Sequence, residues 1–406
     1  MPSIRPFAAL RPKPELASKI CELPYDVMSS EEAQKIADGN PISFLRVSKP
    51  EIDLPPGISV YDDRVYQKGH ENLNALIKSG GLVRDAQEHI YLYRQIMGSH
   101  VQTGLVALAS CEEYRRSVIK KHELTRPDKE DDRVRHIETL NAQTGPAFLT
   151  YRAEPEIDAW VNEFTSQVPA IDFTASDGIR HSSWVVSSKE SIQWLRDRFA
   201  AIPSFYIADG HHRSAAAARV SEGRTNQVGA QHFLSVIFPH NQMQILPYNR
   251  VVKDLNGATS KEFLERLRSV FTIRPATGGR CNHKHQLALF VADSWYELEF
   301  ISERSGGTNP ADTLDVTLLQ NLVLGPMLGI IDPRTSHRIA FVGGIRGTKE
   351  LESLVRSGEY ACAFSMYPTG IEDLMAIADD GGIMPPKSTW FEPKLRDAMF
   401  CHVLDG

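Results

Sequence analysis

Phe205-Tyr206-Ile207-Ala208-Asp209-Gly210-His211-His212-Arg213-Ser214, followed at once by Ala215 to Ala218, decides the fold of this chain. A short apolar run suited to a buried strand meets an Asp-Gly turn, and a strong helix former follows directly. Strand, turn and helix in that order predict an α/β protein. They also place two histidines and an arginine at the first turn of a helix. Backbone N–H groups there lie outside the helical ladder, and the helix dipole favours negative charge. Arg213 can grip a phosphate with two parallel donors, and His211 and His212 donate or titrate near neutral pH. Asp209 is placed to orient a histidine, hold Mg²⁺ or accept a proton. It is also simply a good turn residue.

Outward from this stretch, 406 residues with 42% apolar content predict two or three domains rather than one core. The expected boundaries are an N-terminal α/β region over 1–100, a mixed-sheet core over 101–250, to which the resemblance given below assigns nucleotide binding, and a C-terminal α/β domain over 251–406 that completes the site. A net charge of −6 argues against a broad nucleic-acid surface. Five scattered cysteines suggest a reducing cytoplasm and no disulfide framework. The apolar stretch Leu322 to Ile331 contains Gly325, Pro326 and Gly329 and is too short to span a bilayer. A cytoplasmic protein without a membrane segment is expected; nothing in the sequence indicates an oligomeric state.

Ser29-Ser30-Glu31-Glu32 and Thr259-Ser260-Lys261-Glu262 are capping boxes that open helices. Val60 to Ile77 has the spacing of an amphipathic helix, Ile90 to Tyr93 reads as a strand, and Leu287 to Ile301 as a hairpin. Arg126 to Arg135 is dense in charge and reads as a solvated loop or helix start. Cys281-Asn282-His283-Lys284-His285 resembles a metal tract but lacks a second ligand pair, and reads as an exposed loop.

Two further segments carry candidate chemistry. In Lys121-His122-Glu123, Glu123 at a strand end is a candidate general base. In Met384-Pro385-Pro386-Lys387-Ser388-Thr389-Trp390, two prolines stiffen a loop presenting Lys387, Ser388 and Thr389 to an anion or nucleotide. Each has a plain structural alternative, a surface glutamate and a packed loop.

Taken in order, His122-Glu123, Asp209-Gly210-His211-His212-Arg213 and Pro386-Lys387-Ser388-Thr389 resemble the free L-serine kinases of archaea. The chain as a whole, with Pro24-Tyr25-Asp26-Val27, resembles the family catalogued as domain of unknown function 1015. The resemblance implies a ParB/sulfiredoxin-like mixed-sheet core with additional α/β regions at both ends. It also implies phosphorylation of free serine to O-phosphoserine with ATP or ADP and Mg²⁺. Carried over residue by residue, Glu123 matches the general base, Gly210, His211, His212 and Arg213 match the turn that grips nucleotide phosphates, and Asp209 lies beside the reacting hydroxyl; His211 is also a catalytic candidate and Ser214 a phosphate-binding one. His122 and Asp26 are candidate contacts to the small hydroxy amino acid, and Lys387, Ser388 and Thr389 to the nucleotide.

The departures are specific. Sulfiredoxins carry Gly-Cys-His-Arg, and His211 stands here in place of the cysteine. ParB proteins carry Gly-Glu-Arg-Arg, and their DNA-binding helices are not evident. The spacing from Glu123 to Asp209 exceeds that of the compact kinases, consistent with an insertion near 150–195. Two other readings stay open at this point: a CTP- or ATP-binding switch on the same fold, and a metal-dependent hydrolase using the histidines.

Overall fold

Residues 1–121, 125–243 and 393–406 form one unit of the chain, and residues 122–124 with 244–392 form another. The computed structural model describes residues 1–301 and 309–405.

The first unit is organised by a nine-stranded sheet: β1 (Ile4–Arg5), β2 (Ile90–Met97), β3 (His100–Ser110), β4 (Ile119–Lys120), β5 (Ala147–Tyr151), β6 (Ile171–Thr174), β7 (Arg180–Val186), β8 (Phe205–Asp209) and β9 (His232–Pro239). Their order is β4-β8-β5-β9-β3-β2-β7-β6, with β1 on β3. The β8–β4 and β9–β5 pairs are parallel and the others antiparallel, so the sheet is mixed and the protein is α/β.

The longer helices that accompany it are α1 (Ser30–Ala37), α2 (Asp63–Lys78), α3 (Pro127–Leu140), α4 (Pro155–Phe164), α5 (Lys189–Ala200) and α6 (His211–Gly223). The α1 capping box forms as its sequence predicts: Ser29 Oγ accepts from Glu32 N–H at 3.1 Å, and the Glu32 carboxylate accepts from Ser29 N–H at 2.8 Å. The amphipathic segment enters its helix at Asp63, because the Asp62 side chain caps it by accepting from Arg64 N–H.

Alternation along the strands divides the sheet into two faces. Ile90, Leu92, Leu105 and Ala107 join Ile207, Val161 of α4, Phe199 of α5 and Ala215 to Ala218 of α6 in the main core. The intervening Tyr91, Tyr93 and Gln95 are fully buried on the other face. The return segment Pro393–Leu404 lies there: Phe400 stands 5.2 Å from Tyr91 and 6.0 Å from Tyr93 by ring centroids. Its Ala398 and Cys401 also enter a second core with Leu10, Phe44, Leu73 and Leu140.

The second unit holds a six-stranded antiparallel sheet of β10 (Tyr248–Val252), β11 (Phe271–Ala276), β12 (Gln286–Val291), β13 (Ser294–Phe300), β14 (Ile339–Gly343) and β15 (Cys362–Ser365), ordered β11-β13-β12-β15-β10-β14. The expected hairpin is β12–β13, closed by Ala292 and Asp293 at φ 49° and 59°. Two positive φ values in a two-residue loop match the strands' right-handed twist. Its longer helices are α7 (Ser260–Leu267), α8 (Gly347–Arg356) and α9 (Ile371–Asp379). No helix among the described residues is long and apolar enough to cross a membrane.

Candidate functional site

The strand-to-helix turn is continuous: β8 ends at Asp209, Gly210 is the N-cap, and α6 begins at His211. Gly210 has φ +91°, and a Cβ there would lie 3.2 Å from both Ala147 Cα and Arg213 Nε, so the turn needs glycine twice over. Helical hydrogen bonding starts with Ser214 N–H to Gly210 O at 2.9 Å. The N–H groups of residues 211–213 therefore lie outside the ladder, as an anion cradle requires.

Asp209 accepts from Gly210 N–H at 2.6 Å and from Lys394 Nζ at 2.8 Å, with Arg213 3.6 Å away. Burial works against its charge, but the Lys394 ammonium and then the Arg213 guanidinium outweigh it. They hold the carboxyl well below the usual carboxylate range.

Arg213, whose side chain is 11% exposed, donates to Pro146 O at 2.6 Å. Burial disfavours its charge, and Asp26, Asp209 and Asp397 reverse that effect and strengthen its hold on the proton. Asp397 is itself buried: desolvation pushes its carboxyl up to about 7, with Arg213 pulling it down and Asp26 up. Gly145 leaves room for it, since a Cβ at 145 would lie 2.6 Å from Asp397 Oδ1.

Behind the turn, Tyr25, Arg133, Gln143, Gly145, Arg213 and Asp397 line a small cavity of about 30 Å³. Arg133 stands 3.8 Å over the Tyr25 ring and donates to Asp132, which also accepts from Tyr66 Oη at 2.7 Å. Residues 126–135, read as a solvated loop or helix start, do start a helix at Pro127, and within them Asp132 is the one buried residue. Asp132 and His136 are buried on α3, alongside Ile137 and Leu140. Helical spacing turns these polar groups to the same side as the apolar ones, and each has found a partner. His136 Nε2 donates to Val47 O, and burial, with Arg133, pushes its pKa down to about 4.

Within the first unit the structure thus brings Asp209, Gly210, Arg213 and Asp26 together. His211 is buried at the helix start. His212 Nε2 accepts from Arg126 N–H at 3.1 Å, which requires an unprotonated Nε2. Ser214 is fully buried and its hydroxyl donates to Gly210 O at 3.1 Å, so it braces the turn. Lys394 and Asp397 escape the sequence reading, since Pro393-Lys394-Leu395-Arg396-Asp397 has neither helical nor strand period.

His122, Glu123, Lys387, Ser388 and Thr389 belong to the second unit. His122 is buried and its carbonyl accepts from Met384 N–H at 2.8 Å, while Glu123 is half-buried. Lys387 is exposed at φ +59°, with its ammonium 5.6 Å over the Tyr248 ring. Ser388 is buried and donates to Pro385 O at 2.6 Å, and its carbonyl accepts from Thr369 Oγ1 at 3.0 Å, while Thr389 is half-buried. The Cys281–His285 tract is not simply an exposed loop: Cys281 is half-buried, and His285 bonds to the buried Asp315 at 2.9 Å.

Among solved structures the chain is similar to a conserved hypothetical protein from Pyrococcus furiosus, at 13% identity and TM-score 0.37, over 72% of this chain and 93% of that one. A free serine kinase in complex with AMP matches at 14% identity and TM-score 0.37, over 70% and 86%. SbnI with a C-terminal truncation, from Staphylococcus aureus, matches at 12% identity and TM-score 0.39, over 72% and 85%. No curated protein matches. The model of the family described as "Protein of unknown function (DUF1015)" matches residues 4–317, more than three quarters of the chain, and the protein belongs to that family.

Proposed function

We propose that the protein is a small-molecule kinase that transfers a phosphoryl group from the magnesium complex of ATP or ADP to the hydroxyl of free L-serine. The observation that carries the reading is the Asp209–Arg213 turn, an anion cradle whose arginine is held between Pro146 O and carboxylates. The ordered resemblance of the His-Glu, Asp-Gly-His-His-Arg and Pro-Lys-Ser-Thr segments supplies the reaction class. Phosphoryl transfer depends chiefly on positioning and charge neutralisation, which suits a helix start with flanking cations.

In this reading Glu123 takes the proton from the serine hydroxyl as its oxygen bonds to the terminal phosphorus. The bond from phosphorus to the bridging oxygen breaks, and ADP leaves from ATP, or AMP from ADP. Mg²⁺ enters as part of the nucleotide substrate. The phosphates rest on the amides at the start of α6, with His211 and His212 beside them.

The test is incubation with Mg²⁺, L-serine and either ATP or ADP, scored for O-phosphoserine by mass spectrometry. Product is expected with at least one donor and is expected to fall by about 10²-fold or more in Glu123→Gln. Nucleotide binding without product overturns the transfer step, and full turnover in Glu123→Gln removes Glu123 from the role of base.

A further inference from the structure

The residues matched by the family model end at 317, yet the carboxylate at the heart of the turn is held by a side chain far beyond that point. We infer that Lys394 is a positioning residue for Asp209, carried to the turn by the return segment and fixed there so that Asp209 stays an anion in one orientation. The inference rests on the proposed kinase reading for its catalytic consequence and on geometry for the rest.

Lys394 is anchored on both sides. Its own carbonyl accepts from Gln95 Nε2 at 2.8 Å, and Gln95 Oε1 accepts from Gln102 Nε2 at 3.0 Å. Both glutamines are fully buried, on β2 and β3. Two residues on, Arg396 donates to His181 Nε2 at 3.2 Å and to Asp177 Oδ2. His181 in turn bonds Tyr93 Oη at 2.7 Å and stacks on Phe173 at 5.2 Å. The ammonium is therefore presented from an irregular segment that is itself bonded to paired strands, the condition for a group that must hold another in place.

Its target has few alternatives. Asp209 sits at the end of β8 with one oxygen on Gly210 N–H and the other on Lys394. The cation from its own side of the turn, Arg213, is at 3.6 Å, donates to Pro146 O, and is shared with Asp26 and Asp397. Buried His211 adjoins it on α6. With Lys394 neutralised, desolvation acts against the Asp209 charge with that shared guanidinium and the Gly210 N–H in opposition. A tail that merely packed would owe its contribution to Leu395, Ala398 and Phe400, whose side chains carry no charge.

The test follows the Asp209 side-chain carboxyl by carbon-detected NMR, assigned by difference from Asp209→Asn, across a pH series. In the native protein no titration step is expected above about pH 4. Lys394→Met is expected to bring a step in at least one pH unit higher, and Lys394→Arg to leave it near the native position. The acid limb of kcat/KM for O-phosphoserine formation is expected to move upward in Lys394→Met, with turnover recovering as pH rises. An unmoved carboxyl midpoint in a folded Lys394→Met protein overturns the inference, whatever the activity. Should that variant not fold, Lys394→Gln, which keeps a donor without the charge, gives the same comparison. A native protein that makes no product defeats the kinase reading while the carboxyl titration still decides the role of Lys394.

Discussion

Two strand-to-helix turns in this chain share a local plan and differ in everything around it. In the first unit β8 passes through Asp209 and Gly210 into α6; in the second, β14 passes through Gly344-Ile345-Arg346 into α8. Each has a glycine at positive φ, Gly210 at +91° and Gly347 at +71°, and each brings an arginine to the helix start. Arg213 is 11% exposed and faces three carboxylates and a carbonyl. Arg346 is 57% exposed and pairs with Glu350, one turn on, at 3.8 Å. The two helices differ likewise: α6 buries eight residues and α8 only Leu351. The turn alone does not make a site; charged partners that enclose and fix it do.

The comparison breaks most readily at Arg213. Arg213→Ala leaves Asp26, Asp209 and Asp397 without their shared cation, and a loss of about 3–5 kcal/mol in chemical unfolding is expected. A weakening of ADP binding by more than tenfold in calorimetry should accompany it. Unchanged stability and binding would put the two turns back on the same footing.

Asp397→Asn sharpens the comparison through pH. A carboxyl raised to about 7 on folding takes up a proton as the chain folds, so it lowers stability as pH rises from near its unfolded value, about 4, to about 7. Asparagine removes that dependence. The variant should gain on the native protein across this window, by on the order of 3 kcal/mol, and the difference should be flat above it. Thermal unfolding at pH 5 and pH 8 reads it directly.

The smallest effect is expected at Arg346→Ala. An exposed pair one turn apart contributes little, and stability should stay within about 0.5 kcal/mol with ADP binding unaltered.

What the sequence revealed follows the same line. The β8–α6 junction, both capping boxes and the β12–β13 hairpin are written locally, in an apolar run, a turn residue or a reciprocal Ser/Thr-Glu pair within four positions. The enclosure is not. Residues 393–402 are nearly all buried with little regular structure, so neither period 2 nor 3.6 marks them. On α3 the clue was present but easily misread. Asp132, His136 and Leu140 recur every fourth residue, which places charge on an inward face, whereas a dense run of charges ordinarily signals a solvated one.

The discontinuity of the first unit also bears on how the protein is made. Between Met243 and Pro393 the ribosome must add about 150 residues, which at roughly 5–20 per second takes on the order of ten to thirty seconds. During that interval the face of β2 that carries Tyr91 and Tyr93 has no Phe400 to cover it. A nascent chain of this kind offers chaperones a defined apolar surface for a defined time, and its first-begun unit is the last to be finished.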